Sequence, residues 1–270
     1  MDADLLTNLS LESDGSDHEN VDRNLSVGED EGCNLDKNNQ EHPCVDFEKR
    51  NPVRVLLNGN DSLHHLHLEL HQISPKREMG GVHSNIWDGG LGLVRYLSDV
   101  YGNEWKHVTV CDLGAGTGVV GLGTAVASAA RAVVAMTDLP RAMPLLSENI
   151  KLNQKHWIRG EDSAIPKCSV LEWGKPVSKE WLRALIEQGT LATPKEERTF
   201  VITGADVVYR RSLFEPLLAT LCELSTRVRE LANKKYTKME CLLACQSIRS
   251  HVSKFSDCCL VRFEDERMGI

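Results

Sequence analysis

A glycine-rich turn between an apolar strand and an apolar helix constrains this chain most. Residues 108–111 are apolar and rich in β-branched side chains, as a buried strand requires, and the turn Gly114-Ala-Gly-Thr-Gly118 follows them closely. Glycine adopts positive φ at little cost, and without a Cβ it lets a ligand approach the backbone. The helix predicted to begin near Val119 offers free N–H groups and the positive end of its dipole. The turn therefore predicts a bound cofactor at a strand–turn–helix unit.

Two acidic residues favour a cationic cofactor over a dinucleotide. Taken alone, Gly116-Thr-Gly-Val-Val-Gly121 also matches the dinucleotide-binding fingerprint. Asp112 stands two residues before the turn, where it would repel a pyrophosphate and attract the α-amino group of S-adenosyl-L-methionine. Asp138 ends the next predicted strand, where a carboxylate is suited to accept both ribose hydroxyls. The pattern favours S-adenosyl-L-methionine, with a dinucleotide as the alternative.

Predicted strands and helices alternate along residues 82–270. The strands are predicted at residues 108–111, 132–136, 168–171, 199–206 and 240–245. Such alternation predicts an α/β fold, a Rossmann-like doubly wound parallel sheet, in which ligands bind beyond the carboxyl ends of the strands. Asp112, Asp138, Trp173 and Asp206 all fall at those ends, so we expect them to meet at one site.

Two further segments precede this domain. Residues 1–50 are rich in Asp, Glu, Asn and Ser, and we expect a disordered acidic tail because they offer little apolar surface to bury. Residues 51–81 are predicted to form a β-hairpin extension, with Leu66, Leu68 and Leu70 on its apolar face. The histidines that alternate with these leucines are expected on a solvent-facing side without a metal: His65, His67 and His71.

Composition excludes several classes of function. The net charge of −8 argues against nucleic acid as a partner, which normally needs a basic face. No apolar run is long enough for a membrane span. The nine cysteines are scattered without a C-x-x-C pair, which is typical of a reduced intracellular protein and does not match the usual spacing of zinc ligands. We expect a protein of the cytoplasm, and also of the nucleus, that holds no metal.

Three motifs together resemble the seven-β-strand protein-lysine methyltransferases of family 16, the methyltransferase-21-like group. These motifs are Trp87-Asp-Gly-Gly90, Leu113-Gly-Ala-Gly-Thr-Gly118 and Asp206-Val-Val-Tyr209. The helical stretch 145–153 and the pair Trp173-Gly174 are also similar to that group. The likeness covers about residues 82–245 and implies the fold of the class I S-adenosylmethionine-dependent methyltransferases, acting on a lysine of a specific intracellular protein.

The resemblance also implies a role for each matching position. Trp87 would pack against the cofactor, and Asp138 would hold its ribose. The methionine moiety would lie along the turn, whose lining residues would be Gly114, Ala115 and Gly116. Trp173 would lie near the adenine edge and Ala205 would complete the pocket. Asp206 and Tyr209 would face the lysine, although from the residues alone Asp206 also fits the N-cap of the following helix.

The resemblance leaves the C-terminus unexplained. Members of the group continue past the fifth strand through a helix and two further strands, for which residues 246–270 leave too little length. Residues 249–263 fit a helix, or residues 258–263 fit one short strand. We expect the fifth strand to be left as an exposed edge, with lowered stability.

Three functions follow from these observations. The first is methylation of a protein lysine, with a chaperone or substrate complex as a further kind of partner. The second is methylation of a histidine or a small molecule. The third is a catalytically silent module that binds the cofactor or a partner. The Asp206-Val-Val-Tyr209 motif argues against the silent module, and the short C-terminus argues for it.

Overall fold

The computed structural model describes residues 11–12, 51–58, 65–73, 81–102, 104–157, 164–191, 198–232, 236–246 and 258–265. Within these ranges the strands are β1 (Leu11–Glu12), β2 (Val53–Asn58), β3 (His65–Leu70), β4 (Val108–Leu113), β5 (Val133–Asp138), β6 (Lys167–Val170), β7 (Thr199–Ala205), β8 (Lys238–Gln246) and β9 (Cys258–Asp265). The helices are α1 (Asp88–Tyr101), α2 (Val119–Ala127), α3 (Met143–Leu152), α4 (Lys179–Leu191) and α5 (Phe214–Ala232).

Six strands form one sheet in the order β6-β5-β4-β7-β8-β9. Every neighbouring pair is parallel except β8 with β9. The chain runs outward from β4 through β5 and β6, and then returns to the other side of β4 with β7. Ligands bind at such a reversal because the connections leave a crevice beyond the strand ends. The predicted Rossmann-like sheet is therefore confirmed, and the glycine-rich turn lies at its reversal point.

Helices cover the sheet on both faces. The central strands β4 and β5 are buried along their whole length, and their sequences are mostly apolar on both faces rather than alternating between apolar and polar residues. One face packs against α1 and α2 through residues such as Leu93, Leu97 and Leu122. The other face packs against α4 and α5 through Leu182 and Leu224. These two layers fix β4 and β7, whose carboxyl ends carry the candidate site.

The N-terminal hairpin is present as predicted, and it shares the main core. Strands β2 and β3 pair antiparallel, with Val53 opposite Leu70 at one end. Leu68 and Leu70 are buried in the same apolar cluster as α1 and α2. Strand β1 pairs with β2, so Leu11 and Glu12 form a strand within the predicted tail, and the rest of residues 1–50 lies outside the described residues.

His71 corrects one expectation for the hairpin. We expected it on the solvent-facing side, but its side chain is buried. The alternation of a strand fails here because β3 ends at Leu70, and the chain then turns towards α3. The N–H of His71 donates to Oδ1 of Asn149 at 2.8 Å, which holds this residue against the helix.

Two asparagines one turn apart, Asn149 on α3 and Asn153 at its C-cap, hydrogen-bond to the backbone at the outer edge of β3, where no strand pairs with it among the described residues. Asn149 accepts the N–H of His71, and its Nδ2 donates to the carbonyl of His71 at 3.1 Å. Asn153 forms the same pair of hydrogen bonds with Glu69: its Oδ1 accepts the N–H of Glu69 at 3.0 Å, and its Nδ2 donates to the carbonyl of Glu69 at 2.6 Å. The Nδ2 of Asn149 also donates to the carbonyl of Thr117 at 2.8 Å. Asn149 therefore ties the hairpin to the glycine-rich turn.

Replacing Asn149 with alanine is expected to lower the free energy of unfolding by about 2–4 kcal/mol, because buried backbone groups of His71 and Thr117 lose their partners. Urea denaturation measures the change. The matched control on the same helix is Glu148→Ala, which removes only an exposed 3.4 Å ion pair with Lys151. We expect that control to cost less than about 0.5 kcal/mol, and equal costs for the two variants would contradict the role given to Asn149.

The C-terminal expectation is wrong in one respect. Strand β9 pairs antiparallel with β8 over its whole length, from Gln246 opposite Cys258 to Met239 opposite Asp265. Strand β8 is therefore covered rather than left as an exposed edge, because residues 258–265 pair with its backbone along that side. The helix alternative is excluded for residues 258–263, and residues 249–257 lie outside the described residues.

None of the described helices combines the length and the apolar character that crossing a bilayer requires.

Candidate active site

The turn after β4 is a backbone cradle. Gly114, Gly116 and Gly118 have φ values of +64°, +57° and +85°, a region that side chains with a Cβ rarely adopt. A Cβ on Gly116 would lie 2.8 Å from the carbonyl oxygen of His83, and one on Gly114 would lie 2.9 Å from the Trp173 ring. Both the backbone conformation and the surroundings therefore require glycine at these two positions.

Asp138 holds the turn in this shape. Its Oδ2 accepts the N–H of Gly116 at 2.8 Å, and its Oδ1 accepts the N–H of Leu139 at 2.7 Å. The carboxylate is buried and lines the cavity beyond β5. Each oxygen has a second lone pair, so the group is still able to accept hydrogen bonds from a ligand.

Asp112 is a buried carboxylate beneath the turn. Its Oδ1 accepts the hydroxyl of Thr203 at 2.8 Å, whereas its Oδ2 is buried without a hydrogen-bond partner among the described residues. Burial raises the pKa of Asp112 to about 7, and the hydrogen bond from Thr203 opposes that rise. A buried acceptor with an unused oxygen is suited to a cationic donor, because ionisation needs a compensating charge.

Trp87 stands immediately before α1 and lines the cavity. It is the N-cap residue of α1, and its indole Nε1 donates to the carbonyl of Val82 at 2.9 Å. The ring is 41% exposed and lines the cavity rather than packing in the core. An indole held by its N–H but left open on one face offers a surface for a flat or apolar ligand group.

Asp206 adopts a strained conformation directly after β7. Its φ is +53°, which costs free energy in a residue with a Cβ and is tolerated best by Asn and Asp. Two hydrogen bonds hold it: its N–H donates to the carbonyl of Ala244 at 2.8 Å, and its Oδ2 accepts the N–H of Gly89 at 3.0 Å. Asp206 therefore interacts with the first turn of α1.

This contact changes the alternative reading of Asp206. The sequence allowed it to cap the helix that follows, but α5 begins only at Phe214. It lies instead at the positive end of α1, where the helix dipole favours a carboxylate. A Cβ on Gly89 would collide with the Asp206 carboxylate, so glycine at that position keeps the space that this side chain occupies.

Tyr209 lies three residues further along the loop after β7. Its ring lines the cavity and is 48% exposed, and the guanidinium of Arg210 lies 5.9 Å from the ring centroid. Trp173, three residues after β6, and Ala205, the last residue of β7, also line the cavity, and both are half-buried.

One cavity of about 510 Å³ brings the predicted residues together. All ten predicted site residues line it: Trp87, Asp112, Gly114, Ala115, Gly116, Asp138, Trp173, Ala205, Asp206 and Tyr209. Among the described residues no cluster of His, Cys, Asp and Glu is arranged as a metal site. The cavity is large enough for a small organic ligand.

Several lining residues were missed by the sequence analysis. His83 lines the cavity from a short 3-10 helix, Val82–Ser84, that precedes α1, and burial lowers its pKa. Thr117 contributes a buried hydroxyl without a partner among the described residues, and Val207 packs against Gly114. Loop positions of this kind carry no periodic signal, but Thr117 lies inside the turn and its hydroxyl was a visible donor.

Comparisons with known proteins agree with this geometry. A family model described as lysine methyltransferase matches residues 67–255. The chain is similar to protein N-lysine methyltransferase METTL21A of Xenopus tropicalis, 31% identical over 65% of this chain and 71% of that protein. It is similar to EEF1A lysine methyltransferase 3 of Mus musculus, 29% identical over 57% of each chain. It is also similar to METTL21A of Danio rerio, 33% identical over 54% of this chain and 57% of that protein, so the last two matches span less than two thirds of the relative.

Proposed function

Because this chain belongs to the lysine methyltransferase family, we propose that it transfers a methyl group from S-adenosyl-L-methionine to a lysine side chain of another protein. One observation carries the proposal: three motifs that are far apart in the sequence line a single cavity. They are the Trp87 segment, the glycine-rich turn and the Asp206–Tyr209 loop. The first two suit a cofactor, and the third suits an amine that enters from the mouth.

The residues present fit this cofactor. The glycines of the turn leave a cradle that a Cβ would fill, and two buried polar atoms in its wall lack partners among the described residues: Asp112 Oδ2 and Thr117 Oγ1. Asp112 would accept the α-amino group, and the turn at Gly114, Ala115 and Gly116 would line the methionine part. The bound cofactor supplies a methyl group already activated on a sulfonium sulfur.

The remaining cofactor contacts follow the cavity wall. Asp138 would accept ribose hydroxyls with the lone pairs that Gly116 and Leu139 leave unused. Trp87 and Trp173 would enclose the apolar surface of the ligand, and Ala205 is small enough to leave room between them. Each of these contacts binds and orients, which is what a displacement from an activated donor requires of a protein.

Asp206 and Tyr209 would bind and orient the lysine side chain. A lysine arrives protonated, because its ordinary pKa is near 10.4, and it must lose that proton before it attacks. The carboxylate of Asp206 attracts the ammonium and orients it, while the apolar walls lower the pKa of the amine by desolvation. The ring of Tyr209 shapes the channel, and its hydroxyl is suited to hydrogen-bond the neutral amine.

The protein is proposed to act in the cytoplasm, and also in the nucleus. Four cysteines whose side chains the structure describes are free thiols: Cys111, Cys168, Cys222 and Cys241. Free thiols of this kind persist in reducing compartments, where glutathione and thioredoxin keep them reduced.

Cofactor affinity is expected to rise with pH between about 5 and 7. Burial raises the pKa of Asp112 to about 7, so the cofactor-free fold favours the protonated acid. Asp112 therefore contributes to the stability of the folded protein in its protonated form. This contribution is complete below the ordinary aspartate pKa, near 3.8, and is lost as the pH rises through about 7. A cationic amine needs the ionised form, so affinity should rise by up to about tenfold per pH unit in that range.

Isothermal titration calorimetry with S-adenosyl-L-methionine at several pH values measures this dependence. Asp112→Asn should bind weakly and with a flat pH profile. His83→Gln is the control, because His83 is the other cavity residue with a shifted pKa and should not carry the effect. A wild-type affinity that stays constant over this range would contradict the role of Asp112.

Gly89→Ala is expected to lower kcat by about tenfold to 100-fold while the protein stays folded and binds the cofactor. The new Cβ would occupy the space of the Asp206 carboxylate and displace the end of that side chain. Alanine also favours a helix over glycine by about 1 kcal/mol, which limits the cost to stability. Steady-state kinetics and thermal unfolding separate the two effects, and an unchanged kcat would show that the contact has no catalytic role.

The proposed function is tested with labelled methyl donor and a cell lysate. The purified chain is compared with Asp138→Ala and Asp206→Ala, and labelled protein is hydrolysed to identify the methylated residue. Methyl-lysine that disappears with both variants supports the proposal. Methyl-histidine, or label found only in small molecules, would show that the methyl acceptor is a histidine or a small molecule and not a lysine. Cofactor binding without any methyl transfer would indicate a catalytically silent module.

A further inference from the structure

Exposed apolar side chains are concentrated in the segment that leads from the cavity lining after β7 into α5. Of the nine large apolar residues that are most exposed in the described part of the chain, four lie between residues 208 and 218: Val208, Tyr209, Phe214 and Leu218. Leu218 is 61% exposed, the highest value of the nine. Scattered apolar residues on a surface are ordinary, but a contiguous group beside a functional cavity is typical of an interaction site.

Helix α5 shows why this group is unusual. Its inward face consists of residues such as Leu217, Leu224 and Val228, which are buried against the sheet. An amphipathic helix would carry polar residues on the other side, yet Phe214 and Leu218 stand there one turn apart. Pro216, between them in sequence, lines the cavity. The apolar outer stripe of α5 therefore begins at the edge of the candidate site.

Two arginines complete this surface. Arg210 and Arg211 are exposed, and neither forms an ion pair with a residue that the structure describes. Within residues 207–218 these two arginines are accompanied by a single acidic residue, Glu215. Two exposed guanidinium groups without a carboxylate partner among the described residues favour a docking partner of opposite charge.

We propose that Val208–Leu218 is the docking surface for the part of the substrate protein that flanks the target lysine, and that this part is acidic and apolar. The inference rests on the proposed function, since the lysine would enter the same mouth. Phe214 and Leu218 are about 6 Å apart along the helix axis, close to two residues of extended chain. Alternate side chains of an extended substrate would therefore meet them, and flanking carboxylates would pair with Arg210 and Arg211.

Three synthetic peptides with a central lysine test the inference. The acidic–apolar peptide has leucines two and four positions from the lysine on the same side, so that they are two residues apart, and a glutamate next to each leucine. The basic peptide replaces the glutamates with arginine, and the polar peptide replaces the leucines with serine. Affinity is measured by fluorescence anisotropy with S-adenosylhomocysteine present, so the readout does not depend on methyl transfer.

The acidic–apolar peptide is expected to bind about tenfold more tightly than either of the others. Leu218→Ser should remove the preference for leucine, and Arg211→Glu should reverse the preference between glutamate and arginine. The control variants are Ile165→Ser and Arg183→Glu, an exposed apolar residue before β6 and an exposed arginine on α4. Both controls should bind the peptides as the wild type does.

Equal affinity for the three peptides would overturn the inference, and so would the same loss of preference in the control variants. The outcome is separable from that of the proposed function. Labelled lysine in the lysate with equal peptide affinities would refute only the docking surface. The expected peptide preferences without any methyl transfer would support the surface and refute the enzyme.

Discussion

Asp206→Ala is expected to lower kcat for methyl transfer by about 10²–10³-fold, while affinity for S-adenosyl-L-methionine changes by less than about threefold. The variant loses the carboxylate that orients the lysine ammonium at the mouth. We expect it to keep the turn, because the N–H of Gly116 is held by Asp138, at the end of β5. Single-turnover kinetics and calorimetry measure the two quantities.

The variant will also cost stability, and a second variant separates this cost from the loss of charge. Alanine tolerates the φ of +53° less well than aspartate, and the N–H of Gly89 loses its acceptor. Asp206→Asn keeps the size of the side chain, the tolerance for this conformation and an acceptor for Gly89. If Asp206→Asn transfers methyl groups as fast as the wild type, the charge of Asp206 has no role in the reaction.

Gly116→Ala is expected to weaken cofactor binding by about 100-fold, which corresponds to about 3 kcal/mol. The left-handed conformation costs a residue with a Cβ about 1–2 kcal/mol. The Cβ would also lie 2.8 Å from the carbonyl oxygen of His83, a backbone atom that is not free to move aside. Relief of this contact would shift the N–H of Gly116 away from Asp138, and the cradle would lose its shape.

Gly102→Ala is the matched control for this prediction. Gly102 also has a positive φ, +42°, but nothing lies within 4 Å of the added Cβ, and the residue does not line the cavity. Both variants should therefore unfold at lower temperature, and only Gly116→Ala should lose cofactor affinity in calorimetry. An equal loss of cofactor affinity in both variants would mean that backbone strain alone explains the loss. Wild-type affinity in both variants would contradict the role given to Gly116.

The fold was predictable because its signals are local. A strand, a glycine-rich turn and an apolar helix follow one another within residues 108–127, and the same alternation repeats through β8. Apolar runs mark buried parallel strands, and the period of the helices marks their inward faces. The family model confirms the resemblance to lysine methyltransferases that three motifs indicated. The roles of the individual site residues stay predictions.

The failures occurred where distant segments decide the outcome. Strand β9 covers β8. The sequence of residues 258–263 fits both a helix and a strand, and pairing with the edge of the sheet decides between them. His71 looked solvent-facing because strand alternation continues through it in sequence, yet contact with Asn149 on α3 buries it. His83 enters the cavity from a segment without periodicity.

The sequence by itself determined the class of sheet, the place of the cofactor turn and the carboxylates at the strand ends. Each of these depends on residues that are neighbours along the chain, where propensity and spacing act directly. Only the tertiary structure decided that Gly89 and Asp206, 117 residues apart, share a hydrogen bond, and that Asn149 joins the hairpin to the turn. Such contacts depend on how packed layers bring distant backbone groups together, and no local pattern encodes them.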